Sequence, residues 1–267
     1  MKLGLMIDCC TDPEQTPEQA ADLLARNGFE TFFVGSESPR IGDYMKAARA
    51  AGIEAESLHA PFSRINDLWY PGEAGDEMEA RLIGSLEVCA RYEVPVDVVH
   101  LSSGDRAPYV NDVGTERFDR LVKRSRELGV RVAFENQRKL ANIAYMFERY
   151  PEDVGFCWDV GHEACFADGR EYMPLFGRWL AELHIHDNFG VHNGDEHMIP
   201  FDASIDFDRV ARRIAEAKDY RGSLMFEIIK RKSGRYDGVS NEEFVARCAA
   251  AANRLNDLVE QAKKDLK

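Results

Sequence analysis

Strand-like apolar runs alternate with helix-like runs from one end of the chain to the other, eight of each. The first strand reads from Leu3 to Asp8. A helix follows over roughly Thr16 to Asn27, with Pro17 in its first turn and Gly28 as its stop. Thr31 to Gly35 is the second strand, and a helix containing Tyr44 to Ala51 ends at Gly52. The third strand, Ala55 to Pro61, leads to a long helix in which Met78, Leu82, Leu86 and Cys89 recur near helical spacing. Val96 to Ser102 is the fourth strand, with a helix over about Glu116 to Leu128 closed by Gly129. Val130 to Glu135 and a helix from about Leu140 to Tyr150 form the fifth unit. Val154 to Asp159 and a shorter helix near Met173 to Leu180 form the sixth. The seventh strand is Leu183 to His186, its loop runs to Phe207, and a helix covers Phe207 to Ala217. Ser223 to Ile228 is the eighth strand. The last helix runs from Asn241, read as its cap, to about Lys263, with a frayed tail.

Strands that are apolar almost without interruption are buried on both faces, as in parallel sheets covered by helices. Eight such βα units in 267 residues predict an α/β chain folded as a single-domain (β/α)8 TIM barrel spanning residues 1–267. No composition break divides it. A doubly wound open sheet would need a Gly-rich phosphate loop after the first strand, and the segment IDCCTDPEQ is not one.

Charge narrows the partners. With 34 basic and 47 acidic residues the formal charge is −13, which repels polyanions at long range. No apolar run approaches the roughly 18 residues of a membrane span. The N-terminal MKLGLMIDCC runs straight into a strand pattern without a leader's cleavage site. Six scattered cysteines, with no C-x-x-C spacing, read as reduced residues of a cytoplasmic protein.

The polar residues are placed unevenly. In a (β/α)8 barrel, chemistry sits at the C-terminal ends of the strands. There the sequence puts His59 (third strand), His100 (fourth), Glu135 (fifth), Asp159 and His162 (sixth), His184 and His186 (seventh) and Glu227 (eighth). Asp195 and His197 lie in the loop after the seventh strand. All seven histidines fall at these ends or in that loop, and none in a predicted helix, which argues for one shared site. Asp195 and His197 are two apart, as are His184 and His186, so each pair points one way in extended backbone. Gly161 permits a turn that brings Asp159 and His162 over one cavity. The glutamates of VAFEN and LMFEI follow apolar runs, a costly place for a carboxylate unless a cation or donor meets it. Imidazole and carboxylate together suit a borderline divalent cation. His192 is read as a loop residue, and His186 as support for its neighbour His184 rather than as a ligand.

The motifs LHAPF, VVHLSSG, AFENQ, WDVGH, LHIHDN, DEHMIPFDASIDF and MFEI, spread over essentially the whole chain, resemble those of the xylose isomerase-like TIM-barrel superfamily. That superfamily holds sugar phosphate isomerases and epimerases and also endonuclease IV. The resemblance implies one divalent cation (Mn2+, Mg2+, Co2+ or Zn2+) held by Glu135, Asp159, His184 and Glu227. His184 is preferred because the family's histidine precedes an acid by three, as in His184-Ile-His-Asp187. Similarity to endonuclease IV implies further ligands at His59, His100, His162, Asp195 and His197, the set of a trinuclear zinc site. Departures also stand out. Phe201-Asp202-Ala203-Ser204 replaces the family's Gly-rich segment after the loop proline. Ala141 and Gly190 replace an epimerase Glu and Arg. The substrate therefore does not transfer with the resemblance.

The expected function is a divalent-metal-dependent sugar or sugar-phosphate isomerase/epimerase. Glu135 and Glu227 would remove and return a proton across a metal-stabilised enediolate, with His162 polarising a substrate oxygen. The alternative is an endonuclease IV-like phosphodiesterase, against which the net charge speaks. A second alternative is a non-catalytic metal-containing binding protein. Lys230 and Arg231, in the basic run Lys230 to Arg235 after the eighth strand, are expected to recruit an anionic substrate group, with Asp187 as a further substrate contact. The partner is then a small carbohydrate or sugar phosphate. Neither nucleic acid nor a membrane is expected, and assembly into a homo-oligomer is compatible with all of this.

Overall fold

Successive side chains of a strand face opposite ways, and here the two faces differ in size and chemistry. The structure, a computed structural model, describes residues 1–266. Its strands are β1 (Leu3–Leu5), β2 (Thr31–Gly35), β3 (Glu54–His59), β4 (Val96–His100), β5 (Arg131–Glu135), β6 (Gly155–Asp159), β7 (Leu180–His184) and β8 (Leu224–Phe226). All pair in parallel, in sequence order from β1 to β7, with β8 on the other side of β1. A parallel bridge between Ile185 and Phe226 joins the two ends. The Ile185 amide donates to the Met225 carbonyl at 2.9 Å and the Glu227 amide to the Ile185 carbonyl at 3.1 Å. The result is the expected (β/α)8 barrel.

Outward-facing Phe32, Val34, Leu58, Val132, Phe134 and Phe156 belong to the main core beneath the helices. Val98, Ala133 and Cys157 form a separate small cluster inside the barrel. Two residues further along β4, β5 and β6 come His100, Glu135 and Asp159. The period of two sends them to the same interior, one layer higher, at the C-terminal mouth.

The helices are α1 (Pro17–Arg26), α2 (Ile41–Ala51), α3 (Glu73–Tyr92), α4 (Asp112–Leu128), α5 (Leu140–Arg149), α6 (Val160–Phe166), α7 (Met173–Phe176), α8 (Phe207–Glu216) and α9 (Asn241–Asp265). A capping box opens α1: the Thr16 hydroxyl accepts from the Gln19 amide at 3.2 Å, and Gln19 Oε1 accepts from the Thr16 amide at 2.8 Å. Gly52 and Gly129 end α2 and α4 with φ of 76° and 69°, where a Cβ would be strained. Among the described residues, no helix is long and apolar enough to cross a membrane.

Several strands are shorter than their apolar runs, and other expectations also differ from this outcome. β7 begins at Leu180, because pairing with β6 claims residues that helical spacing alone assigned to the preceding helix. That helix shrinks to α7 and a 3-10 turn over Gly177–Trp179. The cap of α9 is Ser240, whose hydroxyl accepts from the Glu243 amide at 3.1 Å. Asn241 instead accepts from Lys230 Nζ and donates to Asp12. The helix also continues to Asp265 rather than fraying after Lys263, and Lys267 lies outside the described residues. Finally, the turn read at Gly161 is the start of α6, so His162 does lie in a helix.

One buried carboxyl yields a stability prediction. Asp97, on the outer face of β4, accepts from the Ser85 hydroxyl at 2.9 Å, while its second oxygen is buried without a partner. Burial pushes its carboxyl up to about 7. The folded state therefore holds a proton that the unfolded chain, with a pKa of about 3.9, releases first. The stabilisation is complete below about pH 4, declines by about 1.4 kcal/mol per pH unit up to pH 7, and is gone above it. Urea unfolding at pH 5, 6 and 7 should show wild type losing stability relative to Asp97→Asn; parallel profiles would contradict this.

Candidate metal centre

Glu135 ends β5, Asp159 ends β6, His184 ends β7 and Glu227 follows β8. Each offers one donor atom, and the four donors lie within 4.8 Å of one another, all buried. His184 Nδ1 is 3.2 Å from Glu227 Oε2 and 3.4 Å from Glu135 Oε1. Three carboxylates in so small a buried space repel one another, and burial alone would raise the pKa of Glu135 and Glu227. For Glu135 that burial effect is outweighed by the neighbouring His100, His162 and His184 imidazoles, which hold it well below the usual carboxylate range. In Glu227, too, His184 and His197 outweigh burial and lower the carboxyl.

Two further groups adjoin this one. His162, Asp195 and His197 bring their donors within the same 4.8 Å limit. His197 Nε2 lies 3.0 Å from Asp195 Oδ2, and its Nδ1 donates to the Glu227 carbonyl at 2.8 Å, which fixes the ring. On the other flank, His59 joins Glu135 and His184. His100 Nε2 lies 2.6 Å from Glu135 Oε2, and His59 Nδ1 donates to the Ala60 carbonyl at 2.8 Å. Asp159 also caps α6, accepting from the His162 amide at 2.6 Å. The nine positions expected from the sequence thus meet in one place.

The donors suit a divalent cation on chemical grounds. They are imidazole nitrogen and carboxylate oxygen without thiolate. Both ring nitrogens of His184 and Oε1 of Glu135 are buried without a hydrogen-bond partner. Such orphaned groups are costly unless something else satisfies them.

His186 is more deeply involved than its sequence reading allowed. It is fully buried, its Nε2 lies 3.2 Å from Asp159 Oδ1, and its ring stacks on His197 with centroids 4.0 Å apart. It also forms a donor group with His197 and Glu227. Its period-two partnership with His184 was the signal for this. Gly161 serves that contact rather than a turn: a Cβ there would lie 1.9 Å from His186 Cε1. Two other residues escaped the sequence. Asn136 clamps the end of β6, donating to the Asp159 carbonyl and accepting from the Asp159 amide, both at 2.8 Å. Gln137 Nε2 lies 3.0 Å from His162 Nδ1. Their position in AFENQ, directly after Glu135, was the available clue.

The centre opens into a cavity of about 850 Å³. Met6, Phe33, Phe62 and Ile229 give it an apolar side, and Asp8 lies in its wall, its carboxyl raised by burial. Arg81, Arg138 and Lys232 supply cations. A second cavity of about 840 Å³ lies at the opposite, N-terminal end of the barrel, away from these donors.

Three expected substrate contacts sit elsewhere. Lys230 Nζ donates to Asn241 Oδ1 at 2.7 Å, and neither Lys230 nor the exposed Arg231 lines the cavity. The turn after β8 aims Lys232 inward in their place. Asp187 is buried, its carboxylate accepting the backbone amides of Asn188, Ala203 and Ile205 at 2.8–3.1 Å, which pins the loop after β7. His192 is exposed, 3.1 Å from Asp105 Oδ1.

A closed parallel (β/α)8 barrel with buried imidazoles and carboxylates gathered at its C-terminal mouth defines the class: a TIM barrel with a candidate metal centre where such barrels place their chemistry. Residues 19–262 match the family described as the xylose isomerase-like TIM barrel, and the chain belongs to that family. It is 36% identical over 155 residues to the uncharacterized protein y4fM of Sinorhizobium fredii (strain NBRC 101917 / NGR234), a match covering 57% of this chain and 47% of that protein. The matched region thus spans about half the length of that relative. Among solved structures it resembles D-psicose 3-epimerase from Clostridium cellulolyticum H10, with TM-score 0.75 and 15% identity over 97% of this chain and 99% of that one. It also resembles 3-keto-D-glucoside 4-epimerase YcjR from E. coli, with TM-score 0.73 and 15% identity over 96% and 99%. At these identities the likeness concerns the fold.

Proposed function

We propose that this chain is a divalent-metal-dependent isomerase or epimerase acting on a small carbohydrate or its phosphate, as the names of its structural neighbours suggest. The observation that carries the reading is the pair of buried glutamates, Glu135 and Glu227, in one four-donor group at the mouth of the barrel. Glu135, Asp159, His184 and Glu227 would hold the cation, which when bound polarises a substrate carbonyl and acidifies the adjacent C–H. The surrounding imidazoles favour the ionised form of both glutamates, the form a proton acceptor must have. They come from β5 and β8, separated in the ring by β6 and β7, so they approach a substrate from different sides. One takes the proton from carbon and the other returns one to the opposite face. His162 reaches the cavity beside Gln137 and would hydrogen-bond a substrate oxygen. Met6, Phe33, Phe62 and Ile229 would offer the substrate carbons an apolar wall.

Solvent exchange tests this directly. Protein supplied with Mn2+ or Co2+ in D2O should place deuterium on the carbon beside the carbonyl of a ketopentose or ketohexose, with the epimer or aldose appearing alongside. NMR reads both. Absence of exchange across such a panel would overturn the proposal, and cleavage of abasic-site duplex DNA by the same preparation would turn it to the phosphodiesterase.

A further inference from the structure

We propose that the Lys232 ammonium is a built-in occupant of the second cation position, so that a metal ion at His162, Asp195 and His197 must displace it. The inference rests on the metal-binding reading above. Lys232 Nζ donates to Asp195 Oδ2 at 2.7 Å. That same oxygen lies 3.0 Å from His197 Nε2 and 3.7 Å from His162 Nε2. The ammonium therefore sits on the one carboxylate that this donor group possesses. Asp195 is mostly buried, whereas Lys232 reaches it from the cavity rim on a partly exposed stem. A lysine so placed can move its ammonium into solvent once a metal ion replaces it on Asp195.

The first cation position is built differently. Glu135, Asp159, His184 and Glu227 hold three carboxylates between them, and no lysine or arginine makes an ion pair with any of the four among the described residues. A divalent ion entering there competes with no fixed positive charge in contact. One entering the second position must break the Lys232–Asp195 pair and then bear the nearby ammonium, both of which disfavour it. The chain thus biases itself toward one tightly held ion and a second, weaker one. When a second ion does bind, Lys232 is released over the cavity, where an anionic substrate group can take it.

Metal titration of the full chain, followed by calorimetry with Co2+ and by the visible spectrum of the bound ion, tests the idea without any assay of turnover. Wild type is expected to show a tight first event and a weak second. Lys232→Met should leave the first unchanged and tighten the second by about tenfold. Lys232→Arg, which keeps the charge, should retain the weak second event, and circular dichroism shows whether each variant is folded. Equal second-event affinities in wild type and Lys232→Met, or no second event in Lys232→Met, would overturn the inference while leaving the metal centre standing. Absence of the first event in wild type would defeat the metal reading itself, and this inference with it.

Discussion

Glu227→Gln is expected to lower kcat by about 10³-fold, the usual scale for loss of an acid–base group, while the barrel stays folded. Glu227 is buried among His184, His197 and Glu135, and its carboxylate lies 3.2 Å from His184 Nδ1 on β8's side of the centre. Gln matches Glu in shape, so packing survives. In the metal-free protein, removing one of several mutually repelling carboxylates should leave thermal stability unchanged or slightly raised. The amide also weakens metal binding, so the variant must be assayed at saturating metal, with bound metal measured in the same sample. Loss of turnover at full occupancy is the outcome the proton-transfer role requires. Activity within tenfold of wild type under those conditions would remove Glu227 from that role. Glu135→Gln should behave alike, with an added cost, because His59 and His100 both contact its Oε2.

Metal removal should have the second large effect. A ligand that binds only the folded state adds about 2.7 kcal/mol at a free concentration of 100 Kd. For a domain of this size each kcal/mol moves Tm by roughly 2–4 °C. Stripping the protein with a chelator should therefore lower Tm by roughly 5–10 °C, and adding Mn2+, Co2+ or Zn2+ should restore it. The sign follows from the site: without a counter-cation, Glu135, Asp159 and Glu227 are left to repel one another inside the barrel. A Tm indifferent to chelation, together with elemental analysis finding no stoichiometric metal, would contradict the metal centre. The same elemental analysis distinguishes the readings, since one Mn, Mg or Co per chain accords with an isomerase and three Zn with a phosphodiesterase.

The barrel was legible because its signal is periodic and repeated. Eight apolar runs alternating with helical spacing leave few other folds open, and helix stops such as Gly52 and Gly129 act through local backbone geometry alone. Boundaries were less legible where tertiary pairing competes with local preference. Leu180 joins β7 because β6 offers it a partner, and nothing within Met173 to Leu180 announces that partner.

The gathering of the site could be foreseen as well, for a specific reason. A strand's period of two, together with the closure of a parallel barrel, carries residues at strand ends to one mouth whatever their distance along the chain. Glu135 and Glu227 are 92 positions apart in sequence, yet share one donor group.

Residue identity and strand period thus determined which side chains would converge. Tertiary structure alone decided which of the neighbouring candidates turn inward: Lys232 rather than Lys230 or Arg231, His186 as well as His184, and Asp187 given over to holding its own loop. The physical reason is that these choices lie in a turn and a loop. There, hydrogen bonds to distant backbone, and the close approach of Gly161 to His186, set a side chain's direction that no local pattern encodes.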